Sequence, residues 1–353
     1  MRSWSRRRGS RCSERLVSPC EVVIVGHGAA GLCAAVSAAQ AALERGFNAH
    51  ITVIERAPEA EHGGNSCSTP SYLRMPSVAG TAPGFVADVL RESAGRADAA
   101  YFQRLASDAG PTMAWLQDHG VAFHTLVYYL AAGPARIQPV GGGAAIVEAL
   151  PAHAKRLRVV FQYGRAAHAL QLNGSGAISG VGLDDGSVIK ADRAILASGG
   201  FAGNADMLAE HFGPAARHMQ PISPGTRANT GAGIQMALSI GAQRAGDWTG
   251  MHAEPIDPRS NGPAPVVLVY PYGIVVDQDG QRFFDEGAGL VHETWEAFAR
   301  HIQMALPGQR AYAILDSSLL DIPDHGRAIR SEVGPIRADS ITELAALPTC
   351  KPP

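Results

Sequence analysis

The sequence predicts an α/β protein: a dinucleotide-binding unit built on a parallel sheet, followed by a smaller α+β unit. Three observations predict it. Val22-Val23-Ile24-Val25 is a continuous β-branched run, Gly26-His27-Gly28-Ala29-Ala30-Gly31 is a G-x-G-x-x-G turn, and Ile51-Thr52-Val53-Ile54 is a second apolar run ending in an acid, Glu55.

A continuously apolar run reads as a strand buried on both faces of a parallel sheet. The small-residue stretch 32–39 after the turn reads as a helix, giving the strand–glycine turn–helix order that a dinucleotide site requires. Gly26 permits the tight turn, Gly28 lets a diphosphate approach the backbone, and Gly31 lets helix and strand pack closely. At the helix start, Ala29 and Ala30 offer backbone N–H groups and the positive end of the dipole to phosphate. Glu55 is the acid expected on the ribose hydroxyls, and its charge argues against a 2′-phosphate there. The connection at 40–50 is longer than usual and predicts an extra helical turn on the surface.

Composition supports a folded enzyme. Of 353 residues, 40 are glycine, 46% are apolar and 18% charged, which excludes disordered, collagen-like and coiled-coil classes and leaves ample material for a core. The formal charge of −2 gives nucleic-acid binding no bulk support. Residues 1–20 are set apart by Arg2, Arg6, Arg7, Arg8, Arg11 and Arg15 against the single acid Glu14. Without an apolar stretch this is no secretory signal, and a disordered basic leader is expected. Nothing elsewhere reaches the ~18 apolar residues of a membrane span. Five cysteines (Cys12, Cys20, Cys33, Cys67, Cys350), odd in number and without a C-x-x-C pair, argue against a disulfide framework or a metal site and for the cytoplasm.

After Glu55 come Arg56-Ala57-Pro58 and the loop His62-Gly63-Gly64-Asn65-Ser66. This loop and four further segments run in order along the chain: HGGNSCSTPSYLRM (62–75), VGGGAAIVEAL (140–150), ASGGFAGN (197–204), GTRANTGAGIQMALSIGAQRAGD (225–247) and GQRFFDEG (280–287). Together they resemble the FAD-dependent fumarate reductase/succinate dehydrogenase flavoprotein family, nearest its tricarballylate dehydrogenase branch, over about residues 21–320. The resemblance implies a Rossmann-like, glutathione-reductase-like FAD-binding domain at 21–247, with an inserted α+β capping domain at 248–353. It also implies noncovalent FAD, because no histidine stands in the family's linkage context near 66–69.

Each segment has a physical reading beside the resemblance. Gly63 and Gly64 admit unusual backbone angles, and Asn65 and Ser66 can hydrogen-bond phosphate or flavin. The apolar run 194–196 ends in Ala197-Ser198-Gly199-Gly200, where ligands sit at the carboxyl end of a strand. Asp185-Gly186 between apolar runs predicts a type I′ hairpin of an antiparallel meander. Thr230-Gly231-Ala232-Gly233 opens a helix whose start is expected to face the flavin or a substrate carboxylate. The prolines between 255 and 271 break regular structure, and 273–276 and 281–284 read as a hairpin around Asp277-Gln278-Asp279-Gly280.

The resemblance implies hydride transfer between flavin and a carbon next to a carboxylate or carbonyl of a small polycarboxylate, with an acid–base group moving the second proton and an unnamed electron donor or acceptor. His252 aligns with the family's substrate-binding histidine. Arg227 is a candidate carboxylate clamp, with Arg74 and Arg259 weaker ones. The family's proton-donating arginine is missing after Asp285-Glu286-Gly287, so fumarate reduction proper is not expected, and His292 is the candidate replacement. Glu286 and Arg282 are read as architectural, and 292–305 as an amphipathic helix. Family members continue for roughly a hundred residues more, so a truncated product or fragment is expected, with a short form completed by a partner chain as the alternative. Three other functional readings stand beside the main one. A ketosteroid-dehydrogenase relative would use Tyr128-Tyr129 and Tyr270-Pro271-Tyr272, a cobalamin-synthesis flavoprotein would need an iron–sulfur partner, and an FAD-binding remnant would have no turnover.

Overall fold

Strand pleating lets one apolar run serve two cores. In the computed structural model, which describes residues 18–347 apart from Tyr72, Arg74, Tyr128, Tyr129 and 131–135, β1 (Cys20–Val25) sends Ile24 into one core and Val23 and Val25 into another. After α1 (Ala29–Glu44), β2 (Ala49–Glu55) repeats this, with Ile51 and Val53 on one side and Ile54 on the other. Leader residues 1–17, Cys12, Cys350, Arg74 and Tyr128-Tyr129 lie outside the described residues.

Helix α1 buries Leu32, Ala35, Val36 and Ala39 at the three- and four-residue spacing of one helical face. It carries the expected extra turn to Glu44. It stops in a Schellman motif, with Gly46 at φ 66°, its N–H bonded to Leu43 O and that of Phe47 to Ala42 O.

The chain continues through α2 (Gly64–Ser68), α3 (Phe85–Glu92) and α4 (Ala99–Asp118), whose N-cap Asp98 accepts from the N–H groups of Ala100 and Tyr101. A ribbon of β3 (Phe123–Leu126) and β4 (Arg136–Pro139) leads to α5 (Gly143–Arg156) and then β5 (Val160–Tyr163). An antiparallel meander of β6 (Ala167–Leu172), β7 (Ile178–Leu183) and β8 (Val188–Lys190) precedes β9 (Arg193–Leu196). The parallel sheet has the order β5-β2-β1-β9. Leu32 and Val36 of α1, Met113 and Leu116 of α4 and Val147 and Leu150 of α5 pack on one of its faces. The meander's Val181 and Leu183 pack on the other.

The meander turn differs from expectation. Leu183 N–H bonds Ser187 O and Gly186 N–H bonds Leu183 O, and of the turn residues only Gly186 has positive φ, at 82°. This is a three-residue loop with glycine at its left-handed position, whereas type I′ requires positive φ at both central residues.

Helices α6 (Ala205–Phe212) and α7 (Ala232–Ser239) follow, then β10 (Ile274–Val276), α8 (Val291–Ala305), β11 (Tyr312–Ile314) and α9 (Ile341–Ala346). A third apolar cluster gathers Val266, Leu268, Val269, Tyr270, Val275, Val291 and Phe298, together with Ile222 and Leu130 from earlier in the chain. The hairpin expected at 273–284 is not the main pairing here. Residues 277–280 do form the turn, but 281–284 contributes only a single bridge, Val276 to Arg282, and β10 pairs instead with β11. Glu286 explains the difference: it is 6% exposed, its Oε1 accepts the Val275 N–H at 2.6 Å, and its Oε2 binds Arg282 Nε at 3.0 Å. Both residues are architectural, as expected.

Candidate functional site

The carboxyl ends of β1, β2 and β9 open onto a cleft of about 520 Å³, inside the ~300–1,000 Å³ range of ligand sites. Its floor is backbone. A Cβ at Gly26 would lie 2.5 Å from Ala197 O, and one at Gly31 would lie 1.9 Å from Gly26 O. Gly26 therefore brings the β1 turn against β9, and Gly31 presses α1 against that turn. Gly31 itself does not line the cleft, which suits its packing role.

Above this floor stands the start of α1. Its N-cap, Gly28, has no side chain to cover the first turn, and Ser66 of α2 supplies a hydroxyl that accepts the Ala29 N–H at 3.2 Å. Glu55, 8% exposed, is locked by two backbone donors: His27 N–H to Oε2 at 2.9 Å and Ala57 N–H to Oε1 at 2.8 Å. Arg56 follows on the rim and donates to Thr230 Oγ1.

The remaining predicted cofactor residues, Gly63, Gly64, Asn65, Ser198, Gly199 and Gly200, also line the cleft. The role expected for Asn65 needs correction. Its Oδ1 accepts from Ser223 Oγ at 3.0 Å and from Thr226 Oγ1 at 2.8 Å, so this face of the amide ties α2 to the 3-10 turn Pro224–Ala228, and only its NH2 group remains for a ligand. The same two segments touch through backbone, since a Cβ at Gly225 would sit 2.3 Å from Gly64 O. Thr230 and Ala232 at the start of α7 line the cleft as expected.

The three catalytic candidates do not line it. Arg227 is exposed on the 3-10 turn, next to the lining residue Ala228. His252 is exposed, with Nε2 3.2 Å from Glu254 and Nδ1 3.6 Å from Glu296 of α8. The hydrogen bond that His252 donates to Glu254, reinforced by the charge of both acids, raises the His252 pKa above its ordinary value. His292 lies one helical turn before Glu296 in α8, so both histidines gather at the start of that helix, away from the cleft lining. Arg259 is spent in a two-pronged pair with Asp257. Tyr270 is core, its hydroxyl 2.6 Å from Thr294 Oγ1, which removes it from the apolar cleft that the steroid reading needs.

Two features escaped the sequence reading. Arg165, Ala166 and Ala167 line the cleft because β5 pairs with β2 and ends beside Glu55, the signal being the apolar Val159-Val160-Phe161 before Gly164. His27, the variable residue of the glycine turn, is fully buried. Its ring lies 4.5 Å from that of His62, and the Tyr163 hydroxyl is 3.2 Å from its Nε2. Burial first, then His62, lowers its pKa to about 4, so it is neutral at physiological pH. A position in a glycine turn carries no signal for such a pocket.

A glycine turn packed closely against β9, a helix start at the cleft and a locked acid at the end of β2 suit an adenine dinucleotide with a free ribose diol. The fold and site thus define a dinucleotide-binding α/β protein. Residues 21–333 match the family described as FAD binding domain. Vinyl phenol reductase of Lactiplantibacillus plantarum is 28% identical over 92% of this chain and 67% of its own length. A fumarate reductase (cytochrome) of Shewanella frigidimarina is 25% identical over 85% of this chain and 52% of its own. The solved open conformation of a flavocytochrome c3 fumarate reductase superposes with a TM-score of 0.69 at 22% identity, over 88% of this chain and 55% of that one. The chain belongs to the FAD-binding-domain family, among the fumarate reductase/succinate dehydrogenase flavoproteins, and its cofactor is FAD. It spans about half the length of the fumarate reductases it matches. Among the described residues no helix is long and apolar enough to cross a membrane, and no cluster of three or more His, Cys, Asp or Glu could hold a metal.

Proposed function

We propose that this chain is a noncovalent FAD-dependent dehydrogenase or reductase acting on a carbon–carbon bond beside a carboxylate or carbonyl, with a small polycarboxylate, tricarballylate-like, as the preferred substrate. The observation that carries this reading is the locked carboxylate of Glu55 lining one cleft with the start of α1. Similarity to reductases of vinyl phenol and fumarate, both alkenes, supports the bond type.

The chain's own groups divide the work. Glu55, with one lone pair on each oxygen held by backbone N–H, keeps acceptor capacity for two ribose hydroxyls. Ser66 accepts from Ala29 and so keeps its own proton to donate to a phosphate oxygen. Ala30 adds a first-turn N–H group, together with the helix dipole. Gly63, Gly64, Ser198, Gly199 and Gly200 let the ring system lie against main chain. Bound FAD supplies the hydride donor or acceptor. Arg227 clamps the substrate carboxylate, and its charge stabilises the negative charge that develops as the adjacent carbon reacts. His252, whose pKa Glu254 and Glu296 raise, is the proton donor to the neighbouring carbon, and His292, one helical turn before Glu296, is the second candidate. For these groups to meet the cleft, residues 248–353 must act as a cap that closes over it and excludes water.

The test is direct. Full-length protein should purify yellow or turn yellow on adding FAD and stay so after dialysis. Under anaerobic conditions, tricarballylate or another saturated polycarboxylate should bleach it, or an unsaturated acid should restore colour to the chemically reduced protein. Protein left colourless by excess FAD defeats the reading of the site. Firmly bound FAD whose colour no substrate changes instead favours a binding remnant without turnover.

A further inference from the structure

Among the described residues that line the cleft, Arg165 is the one charged side chain with a buried donor that has no hydrogen-bond partner. Its backbone N–H donates to Glu55 O at 2.8 Å, which fixes it beside the ribose-binding acid. Its Nη1 donates to Asp185 Oδ2 and its Nη2 to Ser187 Oγ, both at 2.8 Å, and both partners sit on the β7–β8 hairpin. The third donor, Nε–H, is buried and has no partner. A buried unpaired donor costs roughly 1–3 kcal/mol, so such a group is retained where a ligand completes it.

The clamp also decides which ligand chemistry is left. Asp185 stays ionised, its carboxyl held below the ordinary range by hydrogen bonds from Ser187 and by the Arg165 charge. The guanidinium is therefore neutralised, which disfavours a role as a phosphate reader. What remains is the planar guanidinium and one buried N–H without a partner. An aromatic heterocycle with ring-nitrogen acceptors uses both, by stacking and by one hydrogen bond.

We infer that Arg165, held flat by Asp185 and Ser187, is the recognition element for the adenine ring of the dinucleotide, with the β7–β8 hairpin as its support. This rests on the adenosine end of FAD lying at Glu55. The diphosphate is then held by α1, and base selectivity comes from the meander. Asp185 and Ser187 act only through Arg165 and are positioning residues.

The test uses ADP as the probe, titrated by calorimetry into protein freed of flavin, with inorganic pyrophosphate, which carries no base, as the control. Arg165→Met keeps the stem and removes the planar donor group. It should weaken ADP about tenfold, a loss of about 1.4 kcal/mol, while leaving the binding of inorganic pyrophosphate unchanged. Arg165→Lys, which restores charge without the flat face or the Nε–H, should not rescue ADP. Ser187→Ala should weaken ADP by a smaller factor in the same direction. Parent-like ADP binding by Arg165→Met, or full rescue by Arg165→Lys, overturns the assignment of Arg165 alone. A parent protein that takes up neither ADP nor FAD overturns the site reading and this inference together.

Discussion

The His27 N–H donates to Glu55 Oε2 at 2.9 Å, so the turn after β1 and the acid that ends β2 form one unit. The bond aims the carboxylate across the sheet before any ligand arrives, and Ala57 N–H holds its other oxygen from below.

That preorganisation makes Glu55 sensitive to charge as well as shape. Glu55→Gln keeps the volume but replaces one acceptor oxygen by NH2 and removes the charge from both bonds. FAD affinity should fall by about tenfold or more, charge-assisted bonds being roughly twice as strong as neutral ones. Fluorescence titration with FAD checks this, and unchanged affinity counts against the site.

The buried His27 ring makes stability pH-dependent. Its pKa is lowered from 6.5 to about 4, so the unfolded chain takes up a proton that the fold rejects. Stability from this group is complete above pH 6.5 and drains away as pH falls toward 4. His27→Phe should flatten the urea-midpoint curve across that interval, and an unaltered slope would assign the acid sensitivity elsewhere.

Thr226 is 1% exposed and donates to Asn65 Oδ1. Thr226→Val should cost about 1 kcal/mol, because Ser223 still serves the same oxygen. Adding Ser223→Ala, which strands that oxygen, should cost more than the two single losses summed. Chemical denaturation of the single and double variants measures the difference.

Glu254→Gln removes the chief cause of the raised His252 pKa. An NMR titration of the ring should then show its midpoint moving down. If His252 is the proton donor, the alkaline limb of the turnover profile must move down with it. A shift in the NMR midpoint without one in the rate profile would exclude His252 from the chemistry.

Arg227 is exposed on a 3-10 turn anchored by buried Ser223 and Thr226, so its side chain can be truncated without disturbing the core. Arg227→Ala should leave FAD binding intact and raise the KM for a carboxylate substrate, by about tenfold for one charge-assisted contact. Steady-state kinetics with the bleaching substrate is the check.

The cofactor half was legible because its signals are local. A β-branched run, three glycines at fixed spacing and an acid ending the next strand lie within 35 consecutive positions, 21–55, and each does what its chemistry requires. The later half relies on partners distant in sequence. Tyr312-Ala313-Ile314 pairs with 274–276, and no local pattern near residue 280 distinguishes that strand from the apparent hairpin. The second task of Asn65, tying α2 to the 3-10 turn, was not legible for the same reason, since its partners lie more than 150 residues away. β5 passed unnoticed because its first residue, Val160, is exposed and the strand is only four residues long.

The contact between Gly64 and Gly225 also governs how this protein could be re-engineered. With a methyl group at 225 falling 2.3 Å from Gly64 O, the seam between the two loops accepts no side chain on its 225 side. Library diversity aimed at new substrates is wasted at residue 225. It belongs at Arg227, two residues on, where solvent gives every side chain room.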